Sequence, residues 1–163
     1  MVTLRSWSVP GLAAALLISS GISFEPDQGS TDGAAMLRVS SDAFAGPVQA
    51  RVERVVDGDT FDVRARIWLG QSLVVRVRIA GIDAPELRSR CDAEHILAIE
   101  ARDYLERRIA GGEVRLSEIA YDKYGGRVLA SVGDSAGDIG AAMIAAGLAR
   151  PYDGGTRTSW CAP

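Results

Sequence analysis

The sequence predicts an α+β fold that is mainly β, in which helices pack against a small barrel. Three runs that alternate apolar and polar residues come first, a period typical of half-buried strands. A stretch of helical periodicity follows, and two further strand-like runs and a short helix complete the order. This order fits a five-stranded barrel of the OB type with two to three helices packed on it. Periodicity alone also allows another α+β sheet.

Length and charge limit the classes of protein to consider. The chain has 163 residues, enough for one domain with a core and too few for two ordinary domains. Its 18 Lys and Arg residues against 21 Asp and Glu residues give a formal charge of −3. This balance argues against a protein that coats nucleic acid with a broad positive surface, so any phosphate binding has to be local.

Residues 1–23 have the features of a secretory signal. A single positive charge precedes an apolar stretch from Val9 to Ile22, and the small residues Gly21 and Ser23 suit a cleavage site. The stretch is too short and too lightly flanked to predict a membrane span. We therefore expect export to the periplasm or the exterior, with no membrane partner afterwards.

Residues 24–47 are predicted to be a disordered linker. They are small, polar or acidic with Gly and Pro, and such a composition buries too little apolar surface to order the chain. The folded domain is expected to span residues 48–163.

The apolar faces of the first three runs define the predicted strands. The residues expected to point inward are Val48, Ala50, Val52 and Val56 in the first run, Phe61, Val63, Ala65, Ile67 and Leu69 in the second, and Leu73, Val75, Val77 and Ile79 in the third. The short connection LGQS predicts that the second and third strands form a hairpin.

The helical period begins after the third strand. Asp92 is the expected N-cap of the first helix, and Gly111 and Gly112 end it. The strands EVRLSEI and RVLASVG come next, and a short helix that stops at Gly147 follows them.

Two cysteines, Cys91 and Cys161, lie 70 positions apart. In an exported protein an even number of cysteines predicts a disulfide, here one that ties the C-terminal tail to the domain. The alternative is two unrelated thiols in a cytosolic protein.

The segment VVDGDTFDV contains two aspartates and a glycine, which are among the poorest strand formers. Because the strand pattern resumes at Phe61, we interpret residues 57–60 as a kink between two strands that directs one carboxylate into a cleft. In isolation, a plain turn would be the default interpretation.

A second group of charged residues stands where the third strand ends. The segment RVRIAGIDAPELR supplies Arg78, Asp83 and Glu86, and Pro85 fixes the turn between them. Hard divalent cations bind carboxylate oxygens, and a phosphodiester needs Arg donors and a base that activates water. With Asp59, these residues satisfy both needs if the two segments meet.

Four segments together carry a family resemblance. VVDGDTFDV, RVRIAGIDAPE, DKYGGRVLA and AAMIAAGLARPY occur in the order and approximate spacing of the staphylococcal nuclease (thermonuclease) family, which the chain resembles over about residues 48–153. The resemblance implies an OB-fold barrel and a calcium-dependent nuclease that cuts DNA and RNA to leave a 3′-phosphate and a 5′-hydroxyl. It also implies single-stranded DNA and RNA as substrates, and we expect a monomer.

The resemblance assigns roles to individual positions. The matched residues are Asp59, Asp83 and the backbone oxygen of Ala84 for Ca²⁺, Arg78, Glu86 and Arg127 for catalysis, and Lys123, Tyr124 and, with an offset of one residue, Tyr152 for nucleotide binding. Two departures stand out. The best-known form of the family has Thr at the place of Ala84, and the pair Gly125-Gly126 makes the turn before Arg127 one residue longer.

A catalytically inactive OB-fold module that binds nucleic acid is the competing interpretation, because this fold often binds oligonucleotides without cutting them. Loss of any of the five matched charged residues would favour it, and all five are present. A structural or interaction domain is a third alternative, but the sequence shows no dedicated partner motif for it.

Overall fold

A computed structural model describes residues 43–161. The predicted signal and most of the predicted linker, residues 1–42, lie outside this range. In chain order the elements are β1 (Ala43–Phe44), β2 (Val48–Asp57), β3 (Thr60–Trp68), β4 (Gln71–Ile79), β5 (Ile82–Asp83), α1 (Asp92–Ile109), β6 (Glu113–Tyr121), β7 (Arg127–Asp134), β8 (Gly137–Asp138), α2 (Ile139–Ala145) and β9 (Arg150–Pro151).

Five long strands close into a barrel in the order β2-β3-β4-β7-β6, and β6 pairs again with β2. All neighbours are antiparallel except β4 and β7, which run parallel. The predicted mainly β, α+β class and the five-stranded OB barrel are thus confirmed. The short strand β1 pairs with β6, although it lies in the segment predicted to be linker.

Register explains which predicted inward residues are buried. Phe61, Val63 and Ala65 are buried as expected, whereas Ile67 and Leu69 are exposed. Pairing between β2 and β3 ends at Ala65, so the rest of β3 pairs only with β4 and projects beyond the barrel. The prediction for the far end of the hairpin was therefore wrong, and Leu73 on β4 is exposed for the same reason.

Two irregularities in β2 change the inward face of that strand. The register shifts once between Val52 and Arg54 and again between Val55 and Asp57. Each bulge inserts one unpaired residue, which moves the following side chains to the other face. Val55 accordingly packs against the core.

Helix α1 covers the barrel through small residues. Ala98, Ala101 and Leu105 are fully buried on its inner face. Its N-cap is Cys91 and not the predicted Asp92, which lies in the first turn where an acidic side chain favours the helix dipole. Within residues 43–161 no helix combines the length and the apolar character that a membrane crossing requires.

An ion pair ties the end of α1 to β7. Arg108 donates from Nε to Asp134 Oδ2 at 2.7 Å and from Nη2 to Oδ1 at 3.2 Å, and the Ala136 N–H also donates to Oδ1. The hydrogen bonds from Arg108 lower the pKa of Asp134, and burial opposes them.

The variant Asp134→Asn is expected to lower the free energy of unfolding at pH 7 by about 1–2 kcal/mol, because it leaves a partly buried guanidinium without its charged partner. Since the folded-state pKa of Asp134 is depressed, this stabilisation is complete above the ordinary Asp pKa of about 3.9 and is lost as pH falls through the folded value. Urea unfolding at pH 7 and pH 3 is the measurement. The gap between wild type and variant should narrow at pH 3, and an equal gap at both values would contradict the prediction.

The matched control for that comparison is Glu53→Gln. Glu53 pairs with Arg64 on the outside of the barrel, and both side chains are exposed. Exposed ion pairs contribute little to stability, so this variant should unfold at nearly the wild-type urea concentration at both pH values.

Candidate active site

A cavity of about 430 Å³ lies where the start of β3, the end of β4 and the start of β7 meet. Most of the residues to which the sequence analysis assigns a role line this cavity. They are Asp59, Arg78, Glu86, Lys123, Tyr124, Arg127 and Tyr152. Asp83 and Ala84 are outside this lining, and both residues are buried.

The segment Asp57 to Thr60 is a two-residue hairpin turn that joins β2 to β3, since Asp57 and Thr60 are paired. This differs from the predicted kink, yet it still directs Asp59 inward, where only 6% of the residue is exposed. The turn is buried because helix α1 covers it. A Cβ on Gly58 would lie 2.8 Å from Ala101 Cβ, so glycine is required by space.

Asp59 and Arg78 form a buried ion pair at the cavity floor. Arg78 donates to Asp59 Oδ2 from Nη2 at 2.7 Å and from Nε at 3.2 Å, and the Thr60 hydroxyl donates to Oδ1 at 2.8 Å. Burial raises the pKa of Asp59 to about 7, the charge of Arg78 opposes this increase, and the charge of Asp57 adds to it. A further positive charge beside Asp59 would therefore lower its pKa and favour the ionised carboxylate.

Arg78 is held in place on several sides. Its Nη2 also lies 3.3 Å from the Ile82 carbonyl oxygen and 4.0 Å from Asp83 Oδ1, and the guanidinium lies 5.8 Å from the centre of the Tyr152 ring. These contacts connect the end of β4 with β5 and the C-terminal tail.

The longer turn still delivers Arg127 to the cavity. Gly125 and Gly126 have φ values of 60° and 67°, a left-handed conformation that favours glycine. The Arg127 guanidinium pairs with buried Asp122 and lies 5.1 Å from the centre of the Tyr124 ring. The segment DKYGGR predicts no role for Asp122, because the pairing of Asp122 with Arg127 depends on how this turn folds.

Sequence reasoning missed Arg157, which contacts the second carboxylate group. Its Nε donates to Asp83 Oδ1, its Nη1 donates to Glu86 Oε1, and its Nη2 lies 3.4 Å from the Ala84 carbonyl oxygen. The available signal was its position four residues before Cys161, in a tail expected to be tied to the domain.

Cys91 and Cys161 form a disulfide in the structure, with their Cα atoms 6.0 Å apart. Trp160 next to it donates from Nε1 to Asp83 Oδ2 at 3.0 Å, and the Arg150 guanidinium stacks 3.7 Å from the centre of the Trp160 ring. The tail is thus fixed beside the carboxylates.

The oxygen donors suit a hard cation such as Ca²⁺, which binds carboxylate and backbone oxygens. Asp59, Asp83 and the Ala84 carbonyl supply them, and the guanidinium of Arg157 shows that a cation is accepted beside the last two. Among residues 43–161, Cys91, Glu94 and Cys161 are the only group of three or more His, Cys, Asp or Glu residues whose ligand atoms all lie within 4.8 Å of one another, and the two sulfurs of this group are joined to each other. No three carboxylates around the cavity approach one another that closely in this part of the chain.

Comparison with protein families supplies one match. The model of a family described as staphylococcal nuclease homologue matches residues 76–159, a little over half of the chain. The match includes Arg78, Asp83, Glu86 and Arg127, whereas Asp59 lies before it and joins the site through β3. No curated protein matches the chain.

The variant Gly58→Ala is expected to destabilise the protein by roughly 1–3 kcal/mol, because the new methyl would overlap the methyl groups of Ala84 and Ala101 and neither can rotate away. Thermal and urea unfolding measure this effect. Gly81→Ala is a poor control because its φ is positive, so the control is Gly133→Ala, whose new Cβ would meet no atom closer than 3.5 Å. Equal losses in the two variants would contradict a steric cause at Gly58.

Proposed function

Because the chain belongs to the staphylococcal nuclease homologue family, we propose that it is a calcium-dependent nuclease that hydrolyses phosphodiester bonds of DNA and RNA. One observation carries the proposal: Arg78, Arg127 and Glu86 line the same cavity, with Asp59 at its floor. Two guanidiniums and a base around one space match the needs of phosphodiester hydrolysis.

The arginines would bind the scissile phosphate. Arg78 is fixed by its pair with Asp59 and Arg127 by its pair with Asp122, so both donors are positioned before a substrate enters. Positioned donors favour the charge that grows on the non-bridging oxygens as phosphorus becomes five-coordinate. The guanidinium also offers two parallel donors to a phosphate, which an ammonium does not.

Glu86 is proposed as the general base. Its carboxylate stands at the cavity wall with almost half of its side chain exposed, so a water molecule can reach it. Glu86 would accept the proton of the water that attacks phosphorus. The bond between phosphorus and the 5′ oxygen then breaks, and the leaving oxygen takes up a proton from solvent, which leaves a 3′-phosphate and a 5′-hydroxyl, as the family resemblance implies.

Asp59, Asp83 and the carbonyl oxygen of Ala84 would hold Ca²⁺. When bound there, Ca²⁺ supplies positive charge that polarises the phosphate. The donor chemistry supports this assignment, because all three groups offer oxygen, and Arg78 Nη2 lies 2.7 Å from an Asp59 oxygen and 4.0 Å from an Asp83 oxygen.

The cavity rim would hold the nucleotide. Tyr124 is 69% exposed, Lys123 Nζ lies 5.2 Å from the centre of the Tyr124 ring, and Tyr152 lines the same cavity. Exposed aromatic rings beside cations are suited to stacking unpaired bases, which favours single-stranded DNA and RNA as substrates. We propose that the protein acts as a monomer after export, and the disulfide supports an oxidising compartment.

A nucleic-acid-binding module without catalysis is the second candidate. The observation that favours it is the contact between Arg157 and Glu86, which occupies the proposed base. Binding of an oligonucleotide without any cleavage would support this candidate.

Cleavage of single-stranded DNA by the full chain is expected in Ca²⁺ and absent in chelator. The variant Glu86→Gln should lower kcat by about 10²–10⁴-fold, because the amide cannot accept the proton. Glu106→Gln, on the exposed side of α1, is the control and should keep wild-type activity. Full activity in chelator, or an active Glu86→Gln variant, would refute the proposed chemistry.

The variant Arg127→Lys is expected to lower kcat by roughly 10–100-fold, since the ammonium loses the two-pronged contact with phosphate. Steady-state kinetics on a short oligonucleotide separates this loss from a change in KM. The control is Arg66→Lys, because Arg66 is an exposed residue of β3 that does not line the cavity. A variant affected only in KM would mean that Arg127 binds the substrate without assisting the reaction.

A further inference from the structure

Arg157 occupies the oxygens that the proposed function assigns to the cation and the base. It contacts one carboxylate oxygen of Asp83, one of Glu86 and the carbonyl of Ala84. A guanidinium always carries its charge in proteins. Without a bound metal, Arg157 is therefore the positive charge that compensates these groups.

This compensation matters because Asp83 is buried. The Asp83 side chain is 5% exposed, and its Oδ2 accepts a hydrogen bond from the indole N–H of Trp160. The indole is neutral, so it does not compensate the charge of the carboxylate. A buried carboxylate without a charged partner strongly destabilises a fold. Arg157 removes that penalty, and it is the closest positive charge to Asp83 among the described residues, since Arg78 is at 4.0 Å.

Two contacts of the C-terminal tail hold the chain around Arg157 near these carboxylates. The disulfide between Cys91 and Cys161 fixes the chain four residues after Arg157, and the Arg150 Nη1 bond to the Ser159 carbonyl at 3.0 Å fixes it two residues after. A tethered group has a high effective concentration at its binding site. The guanidinium thus competes with a soluble cation far better than an untethered one would.

We propose that Arg157 is a built-in competitor of the metal, an autoinhibitory counter-cation that has to leave Asp83 and Glu86 before Ca²⁺ binds. The inference rests on the proposed function, because it takes Asp83 and Ala84 as part of the cation site. Two cations cannot share the same oxygens, so the free energy needed to displace Arg157 weakens metal binding by the wild-type chain. Departure of Arg157 also releases Glu86 to act as the base.

The test is calorimetric titration of the metal-free full chain with Ca²⁺. Arg157→Gln is expected to lower the dissociation constant for Ca²⁺ by roughly tenfold or more, the equivalent of one charged hydrogen-bonded contact that no longer has to be broken. The matched control is Arg88→Gln, which removes the same charge from an exposed neighbouring residue that makes no ion pair within the described part of the chain. Its dissociation constant should stay within about twofold of wild type.

A second readout needs no titration. Metal-free Arg157→Gln should melt at a lower temperature than wild type, because Asp83 loses its partner, whereas saturating Ca²⁺ should raise its Tm more than it raises that of wild type. If Arg157→Gln does not fold, Arg157→Lys takes its place. Lysine keeps the charge but lacks the planar fork of donors with which Arg157 contacts Asp83, Glu86 and Ala84 at once, so Ca²⁺ should still bind at least about threefold more tightly than to wild type.

Several results would overturn the proposal. Wild-type or weaker Ca²⁺ affinity in Arg157→Gln would mean that the arginine does not compete with the metal. An equal gain of Ca²⁺ affinity in Arg88→Gln would mean that the loss of any nearby positive charge explains the result. If no form of the chain binds Ca²⁺, Arg157 has no metal to compete with, and the proposal is wrong.

Calorimetry and cleavage separate this proposal from the proposed function. Tighter Ca²⁺ binding by Arg157→Gln without cleavage by any form of the chain would support the competitor role and refute the nuclease. Calcium-dependent cleavage by wild type, with unchanged affinity in Arg157→Gln, would refute the competitor role and keep the nuclease.

Discussion

The buried pair between Asp59 and Arg78 is the constraint on which the site depends. It joins the first turn of the barrel to the end of the third barrel strand, and the pairing of Thr60 with Arg78 sets the register between them. Neither charge is accessible enough to be solvated by water, so each needs the other to stay buried. The same contact orients Arg78 toward Ile82 and thereby fixes the path of the chain into the second carboxylate group.

The site is assembled from two parts of different origin. Barrel strands and their turns supply Asp59, Arg78 and Arg127, whereas the β4–α1 connection supplies Asp83 and Glu86 and is held by Glu94 and the C-terminal tail. Glu94, buried on α1, accepts a hydrogen bond from the Glu86 N–H at 3.4 Å. The first part belongs to the hydrogen-bonded barrel, whereas the second depends on contacts with the C-terminal tail, which the disulfide joins to Cys91.

Sequence periodicity predicted the barrel because the side chains of a half-buried strand alternate with a period of two residues. The chemistry of the charged groups and the family resemblance, and not periodicity, singled out Asp59, Arg78 and Glu86, which line one cavity. Periodicity failed where a pattern continues beyond its partners: Ile67 alternates correctly but has only β4 beside it, because pairing with β2 ends at Ala65. Bulges in β2 are also invisible to periodicity. Arg157 could not be located, because its contacts with Asp83 bridge 74 positions and depend on how the tail packs.

Every arginine that lines the cavity already has an acidic partner: Asp59 for Arg78, Asp122 for Arg127, and Asp83 with Glu86 for Arg157. A phosphodiester that enters the cavity therefore meets three guanidiniums whose charge is already partly offset by carboxylates; Lys123 is the only basic residue that lines the cavity without an ion pair among the described residues. The carboxylates reduce the favourable free energy that the arginines contribute to phosphate binding. Fewer bound counterions are then released than three unpaired arginines would suggest, so affinity for nucleic acid depends less on salt concentration than that number implies.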